Sequence, residues 1–546
     1  MKHANKLIRQ QFRPSRYSPV GRYIVLLAFM SQVFVFSEKL NGATVFVSKQ
    51  GDNTTGETWS TSFKTVSSAI TAATSGDQIW IASGTYFESI NLKPSLSLMG
   101  GFIGGETSLN QRNLSINSTT IDGSTANTSV ILGATGAVLD GLRVTGGIST
   151  EGGGGLRCEN ARMALRNCRI EDNYTTSLDS AAYGGGILCI SSELTLLDSV
   201  VAGNRTELLA EPTKHIPVIS AFGGGICALQ SNLHLEGCTV RGNLTNCSDG
   251  SEYVYSVGGG VYAEGRVECV GCVFKENMAR AVYSGASFAR GGGIGCTGTI
   301  NLLGCTINEN SANVPLNLSD AFGEGGGIFI VGTVEISNTV LWKNRGFVYS
   351  INGYGLPFGD SLWCKGNAFI DHSTVFADWF SNPTSPAKIW SWFGNLAIRN
   401  SITGTMNYDY EIQSADVQYS NVLNGFPGEG NINLDPQFAD PANGDFRLLA
   451  SSPCIDAGTT TGPVTDILGK SRPVDVPGVG REGPGAYDMG AYEFQLSDLP
   501  TPAPTPTITE TPTITPTAIM AETPTATPTP TRDPDASWVR EWGRYR

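Results

Sequence analysis

Ile370-Asp371-His372 sets a carboxylate beside an imidazole, the pairing that general acid–base chemistry uses. Both side chains fall at a two-residue bend, where a solvated turn is the alternative reading. A second set of groups recurs at intervals: Tyr183, Phe222, Tyr253, Tyr255, Tyr283, Phe288 and Phe322, with His215, interleaved with Asp179, Glu207, Glu211, Asp249, Glu252 and Asp320. Aromatic faces beside carboxylates grip sugar rings, and the carboxylates are candidate calcium ligands. For each ring the alternative is packing, above all for Tyr183 and Phe222, which directly precede glycines. Cys269-Val-Gly-Cys272 has the gap of half a zinc site, but no second pair follows at a suitable distance. His234 stands between Leu233 and Leu235 and is expected to point outward. No cofactor is required by these residues; calcium is the one candidate.

The elements that carry these groups repeat. Six passes open on three glycines and an aliphatic residue, at Gly153–Leu156, Gly184–Ile187, Gly223–Ile226, Gly258–Val261, Gly291–Ile294 and Gly325–Ile328. Each ends in an asparagine: Asn173, Asn204, Asn243, Asn277, Asn310 and Asn344. The aliphatic-to-asparagine distance is 17 residues in the first three passes and 16 in the last three. Between these marks every pass has an apolar, any, apolar, two-residue bend, small, any, apolar pattern, as in Leu233, Leu235, Cys238 and Val240. Period-two alternation broken by a bend gives two short strands with one set of side chains inward, which no helix can do. Repetition at this period predicts an all-β solenoid in which each coil packs on its neighbours. The asparagine amide at a tight turn can satisfy backbone groups and stack on its copies, so a structural column through all six is expected. From each asparagine to the next triplet run 10 to 18 residues, read as lateral loops that build one surface.

Twelve cysteines occur, yet Cys158, Cys189 and Cys296 share a place with Ala228, Ala263 and Ile330, and Cys168, Cys238, Cys272 and Cys305 share one with Ser199 and Thr339. Residues interchangeable with Ala, Ser, Thr and Ile are small core fillers. Neighbouring coils nevertheless lie close enough for an occasional disulfide.

Residues 1–43 hold Lys2, Lys6, Arg9, Arg13, Arg16 and Arg22 before an apolar run from Tyr23 to Phe36, the pattern of a signal peptide. The net charge is -13, which leaves about -19 for the remainder, so nucleic acid is excluded as a general partner. No later stretch is apolar enough to span a membrane, and an extracellular or envelope location is expected. Residues 44–150 are read as an N-terminal cap with opening coils, 151–425 as the coils, and 426–494 as an irregular closing segment. Within the cap, Ser62 to Thr74 has helical spacing, with Phe63, Val66, Ile70 and Ala73 on one face and Thr61 or Ser62 as its cap. Past Asn344 the template relaxes, and Trp379, Trp390, Trp392 and Phe393 read as an aromatic-rich insertion between two late coils. Residues 495–531 are a Thr/Pro-rich spacer and 532–546 a charged aromatic tail.

The Gly-Gly-Gly-Ile and Asn-ending coils, with Phe63-Lys-Thr-Val, Asp77-Gln-Ile-Trp-Ile, Ser452-Pro-Cys-Ile-Asp-Ala-Gly and Asp488-Met-Gly-Ala-Tyr-Glu, resemble those of exported right-handed parallel β-helix proteins of bacterial surfaces over about residues 44–494. The glycine-rich coils are similar to those of polymorphic outer-membrane proteins, whose C-terminal barrel has no counterpart here. That resemblance implies a right-handed parallel β-helix with an N-terminal capping helix. Ile370-Asp371-His372 also resembles a short motif of pectate lyases, which share this fold. The expected function is a non-catalytic surface or adhesion protein whose β-helix face binds a polysaccharide or a surface protein. The alternative is a polysaccharide lyase or glycoside hydrolase acting on an extended glycan, with Asp371 and His372 as its candidate catalytic pair.

Overall fold

The computed structural model describes residues 42–499 apart from 210–215, 249–251, 283–285, 318–319, 351–354, 377–388, 409–411 and 482–485. The chain winds into an all-β right-handed parallel β-helix. Its long sheet takes the strands that follow each glycine triplet, Leu156–Glu159, Ile187–Ile190, Ile226–Leu229, Val261–Val270, Ile294–Leu303 and Ile328–Ser337, with parallel pairing from coil to coil. A second sheet follows the bend, from Arg169–Glu171 through Val200–Ala202 to Thr374–Phe376. The inward side chains of both form one continuous buried core, including Leu156, Leu165, Ile170, Leu235, Phe274, Ile300, Ile336 and Val375. Each buried Leu or Ile contributes about 1.5–3 kcal/mol, which is why the apolar pattern outweighs the many glycines. The N-terminal helix spans Val66–Ala72, shorter than its sequence pattern, and is capped by Thr65, not by Thr61 or Ser62. Phe63 is held extended instead, exchanging backbone hydrogen bonds with Phe46 and Ser48.

The change of spacing from 17 to 16 residues has a structural cause. In the first three regular coils the long sheet breaks at a left-handed residue, Asn160, Ser191 or Gln230, and resumes as a separate strand. In the later coils the two pieces fuse into ten-residue strands bent at Gly265, Gly298, Gly332 and Gly366, all with φ between 141° and 146°. A Cβ at Gly332 would stand 1.9 Å from the Gly298 carbonyl oxygen, so the column admits only glycine.

The lateral connections are not loops. After each asparagine the chain runs outward as a strand and returns as another: Arg205–Leu208 with Val218–Phe222, Leu244–Ser248 with Tyr253–Val257, Met278–Val282 with Ala286–Arg290. Stacked coil on coil they make two further parallel sheets, which form a lateral fin. Its own core is mainly alanine, Ala182, Ala221, Ala281, Ala289, Ala312 and Ala321, with Leu208, Ile219, Cys247, Val254 and Val314. Glycine triplets and asparagines form the neck where fin joins helix. A Cβ on Gly259 would lie 2.3 Å from the Met278 carbonyl carbon and 2.5 Å from the Gly292 oxygen, so two backbones meet there with no side chain between them. Below them the asparagine amides interlock coil to coil. Asn204 Nδ2 donates to Asn243 Oδ1 (3.0 Å) and to the Ile170 carbonyl of the preceding coil (2.8 Å), and its backbone N–H donates to the same Asn243 oxygen (3.0 Å). The pattern runs from Asn173 through Asn204, Asn243, Asn277 and Asn310 to Asn344, all buried.

Past Asn344 the template holds longer than the sequence shows. Gly359-Asp360-Ser361-Leu362 takes the place of a triplet and its aliphatic residue, with Gly359 at φ 58° and Leu362 paired with Ile328. Ile389–Trp392 pairs with the same strand, so Trp390 and Trp392 belong to a coil and not to an insertion. The closing segment divides. Residues 423–433 lie across the last coil, where Phe426 packs against the main core. Beyond them the chain folds back along the flank of the second sheet, packing Phe438, Phe446, Ile455, Met489 and Phe494 on outward Val340, Phe376 and Ile402. The buried Arg472–Glu493 ion pair (3.0 Å) anchors it, with Arg472 Nη1 donating to Asn338.

Candidate ligand-binding groove

The outward face of the long sheet meets the returning sheet of the fin along a corner. Alternation decides what lines it: on the floor Leu188, Cys227, Tyr262, Gly295, Phe329, Trp363 and Trp390 succeed one another coil by coil, and on the wall stand Tyr183, Phe222, Val257, Arg290, Glu324 and Phe358. The two rows touch. Phe222 packs on Tyr262 at 4.6 Å between ring centroids, and Phe358 meets Trp390 edge-on at 4.7 Å. The guanidinium of Arg290, paired with Glu324 at 2.5 Å, lies 4.9 Å over Phe329.

Toward the C-terminal end Phe329 and Trp363 are buried in the corner, and Val331 and Phe393 beyond them are exposed. Trp363 stacks on Phe329 (4.5 Å, 11°), Trp392 stands edge-on to Trp363 (6.1 Å, 80°), and Phe393 stacks on Trp392 (5.0 Å, 28°). Lys365 Nζ lies 5.1 Å from the Trp392 ring and 5.5 Å from Phe393, which is 40% exposed. Exposed Val331 completes a platform with aromatic surface and one ammonium group. Lys365 has no carboxylate partner among the described residues.

The rings singled out in the sequence lie on this same fin face, Tyr183 and Phe222 in the wall and Tyr255, Phe288 and Phe322 one row further out. Tyr255, Phe288 and Phe322 stack face to face along the fin (4.7 Å and 5.0 Å, within 10°), and Tyr183 stacks on Phe222 (5.6 Å, 9°). Arg290 also covers Tyr255 and Phe288. Rings whose faces are held by one another offer a ligand mainly their edges, while sugar stacking needs a face. Tyr253 is exposed on the fin, and Tyr283 and His215 lie outside the described residues. Glu207 is engaged within the fin by Tyr174 (2.8 Å), Asn246 (2.7 Å) and Arg205 (2.5 Å). Among the described residues no group of three His, Cys, Asp or Glu side chains is placed to hold a metal ion. Cys269 and Cys272 are buried core residues, the latter donating to the Leu235 and Val270 carbonyls.

Asp371 and His372 do sit at the bend, with Asp371 partly exposed and His372 out of solvent. His372 is fully buried in a left-handed turn (φ 43°), with Nδ1 2.9 Å from Asp371 Oδ1. Tyr487 of the closing segment packs edge-on at 5.1 Å, and Gly462 passes so close that a Cβ there would be 2.5 Å from the ring. Burial pushes the imidazole below its ordinary range, against the pull of Asp371. No polymer reaches this ring while the closing segment is seated.

A titratable cluster not apparent from the sequence lies on the polar half of the same sheet face. His234 pairs in register with Glu268 and lies between two carboxylates, Glu268 (3.5 Å) and Glu236 (3.8 Å); Arg266 also binds Glu268. The hydrogen bond with Glu268 raises the His234 pKa and lowers that of Glu268. Its only signal in the sequence is spacing, since His234, Glu236 and Glu268 all fall on outward positions.

No family model and no curated protein matches the chain. Among solved structures, it is similar to the crystal structure of pectate lyase Pel9A at 14% identity, over 84% of this chain and 98% of that one, with a TM-score of 0.37. A rhamnogalacturonan lyase is similar at 12% identity, over 73% and 91%, with a TM-score of 0.29. Both are distant structural resemblances. Among the described residues no helix is long and apolar enough to cross a membrane.

Proposed function

We propose that this chain is an exported β-helix protein that binds an extended glycan along the corner between the long sheet and the fin. The observation that carries the reading is the partly exposed surface of Trp392, Phe393, Lys365 and Val331, resting on the buried Phe329–Trp363 stack. Ring faces supply apolar contact to a sugar, and the ammonium supplies a donor for its oxygens. A coil repeats about every 4.8 Å along the axis, so the corner offers a periodic surface to a periodic polymer. The test is retention on a polysaccharide panel, with calcium and with chelator, for the protein and its Trp392→Ala variant.

Cleavage of the bound glycan is the second reading, favoured by His234 between Glu236 and Glu268 on the same sheet face. An imidazolium flanked by carboxylates is a proton donor with bases at hand. Release of reducing or unsaturated ends that disappears in His234→Gln would establish it.

A further inference from the structure

All twelve cysteines are buried, but they are not equivalent. Cys168, Cys238, Cys272 and Cys305 lie inward after the bend, and each thiol donates to a backbone carbonyl of the preceding coil, at Leu139, Leu196, Leu235 and Cys269 respectively (3.3–3.5 Å). Their hydrogen bonds are satisfied as thiols. Cys158 and Cys189 differ. They are direct register partners on adjacent parallel strands, their sulfurs are 2.8 Å apart, and each sulfur has the other as its polar contact. The next residues in the same column are Ala228 and Ala263, so the pair is isolated from further thiols. Register-paired Cα atoms on neighbouring strands are about 4.8 Å apart, inside the span that a disulfide bridges.

We propose that Cys158 and Cys189 form a disulfide that staples the first two regular coils together. The two thiols lose two protons and two electrons, and the S–S bond forms through a mixed disulfide with a small-molecule or protein disulfide, whose two sulfurs take up those protons and electrons and leave as thiols. Both residues are at most 1% exposed in the finished coil, so the exchange takes place while these coils are still assembling. The proposal is independent of glycan binding and requires only an oxidising folding environment. The full chain is refolded in a glutathione redox buffer, alkylated in denaturant without reduction, and mapped by mass spectrometry. The expected result is a linked peptide pair carrying Cys158 and Cys189, lighter by two hydrogens, with the other cysteines alkylated. Alkylation of both, or linkage at another pair, overturns the proposal. Cys158→Ala, which installs the residue found at 228 and 263, provides the second measurement. Its thermal midpoint should be indifferent to dithiothreitol, while that of the wild type falls on reduction; a wild-type midpoint equally indifferent to reductant contradicts the staple.

Discussion

Asn243 is the place to test the neck, because its amide has no capacity to spare. Its Oδ1 accepts from the N–H and the Nδ2 of Asn204, while its own Nδ2 donates to the Val201 carbonyl (2.9 Å) and to Asn277 Oδ1 (3.0 Å). Asn243→Ala leaves two buried donors of Asn204 without an acceptor, at about 1–3 kcal/mol each, so a loss of about 2–6 kcal/mol is expected. Asn243→Asp keeps the volume and the accepting oxygen but turns a donor into an anion facing two oxygens. An unpaired buried charge costs about 3–5 kcal/mol, the equivalent of about 2–4 units of upward pKa shift. With the folded pKa raised, the folded state holds the proton longer than the unfolded state. Stability is therefore retained below about pH 3.9 and lost as pH rises through the folded value. Urea unfolding followed by circular dichroism at pH 7 and at acid pH reads both effects, each against wild type at the same pH. The Asp variant should approach wild type in acid and fall furthest below it at neutral pH, whereas the Ala variant should show a deficit that varies little with pH. Wild-type urea midpoints for both variants at pH 7 would refute the claim that the ladder holds the neck.

Gly332→Ala should destabilise by about 3 kcal/mol or more, since it combines a strained left-sided backbone with a Cβ 1.9 Å from the Gly298 oxygen; urea unfolding checks this. His372 has a lowered folded pKa, so its contribution to stability is complete above about pH 6.5 and is lost as pH falls below that value toward the folded pKa. His372→Phe should remove that part of the acid-side decline, read as the difference between the two pH–stability profiles. His234 has a raised folded pKa, and its C–H resonances should titrate above the ordinary histidine value by NMR, returning toward that value in Glu268→Gln. Phe288→Ala should cost stability with little change in glycan retention, because its ring faces are held by Tyr255 and Phe322.

The helix was legible in the sequence because its core residues are large and regularly spaced, and because the glycines and asparagines mark each coil in phase. The fin was not. Ala182, Ala221, Ala281, Ala289, Ala312 and Ala321 take more than half of its inward positions, too weakly apolar to announce strands, in connections whose lengths vary between coils. The opening of the seventh coil was hidden because Asp360 and Ser361 replace two glycines, although Leu362 keeps the register. For the binding surface, the sequence identified aromatic residues without showing which faces remain open. Stacking between successive coils uses the faces of Tyr255 and Phe288, and only the register of Ile389–Trp392 with Leu362–Asp371 reveals the platform at Trp392. His372 lost its solvent to a closing segment more than eighty residues further along, a contact with no local signal.

The most direct measurement of the central claim is retention of the purified protein on immobilised plant, algal and bacterial polysaccharides, with Trp392→Ala and Phe288→Ala run in parallel. Glycan binding in the corner predicts specific retention of wild type and Phe288→Ala and at least a tenfold weaker affinity for Trp392→Ala, from loss of about 1.5 kcal/mol of ring contact. Retention on no polysaccharide, or equal retention of Trp392→Ala and wild type, would contradict it.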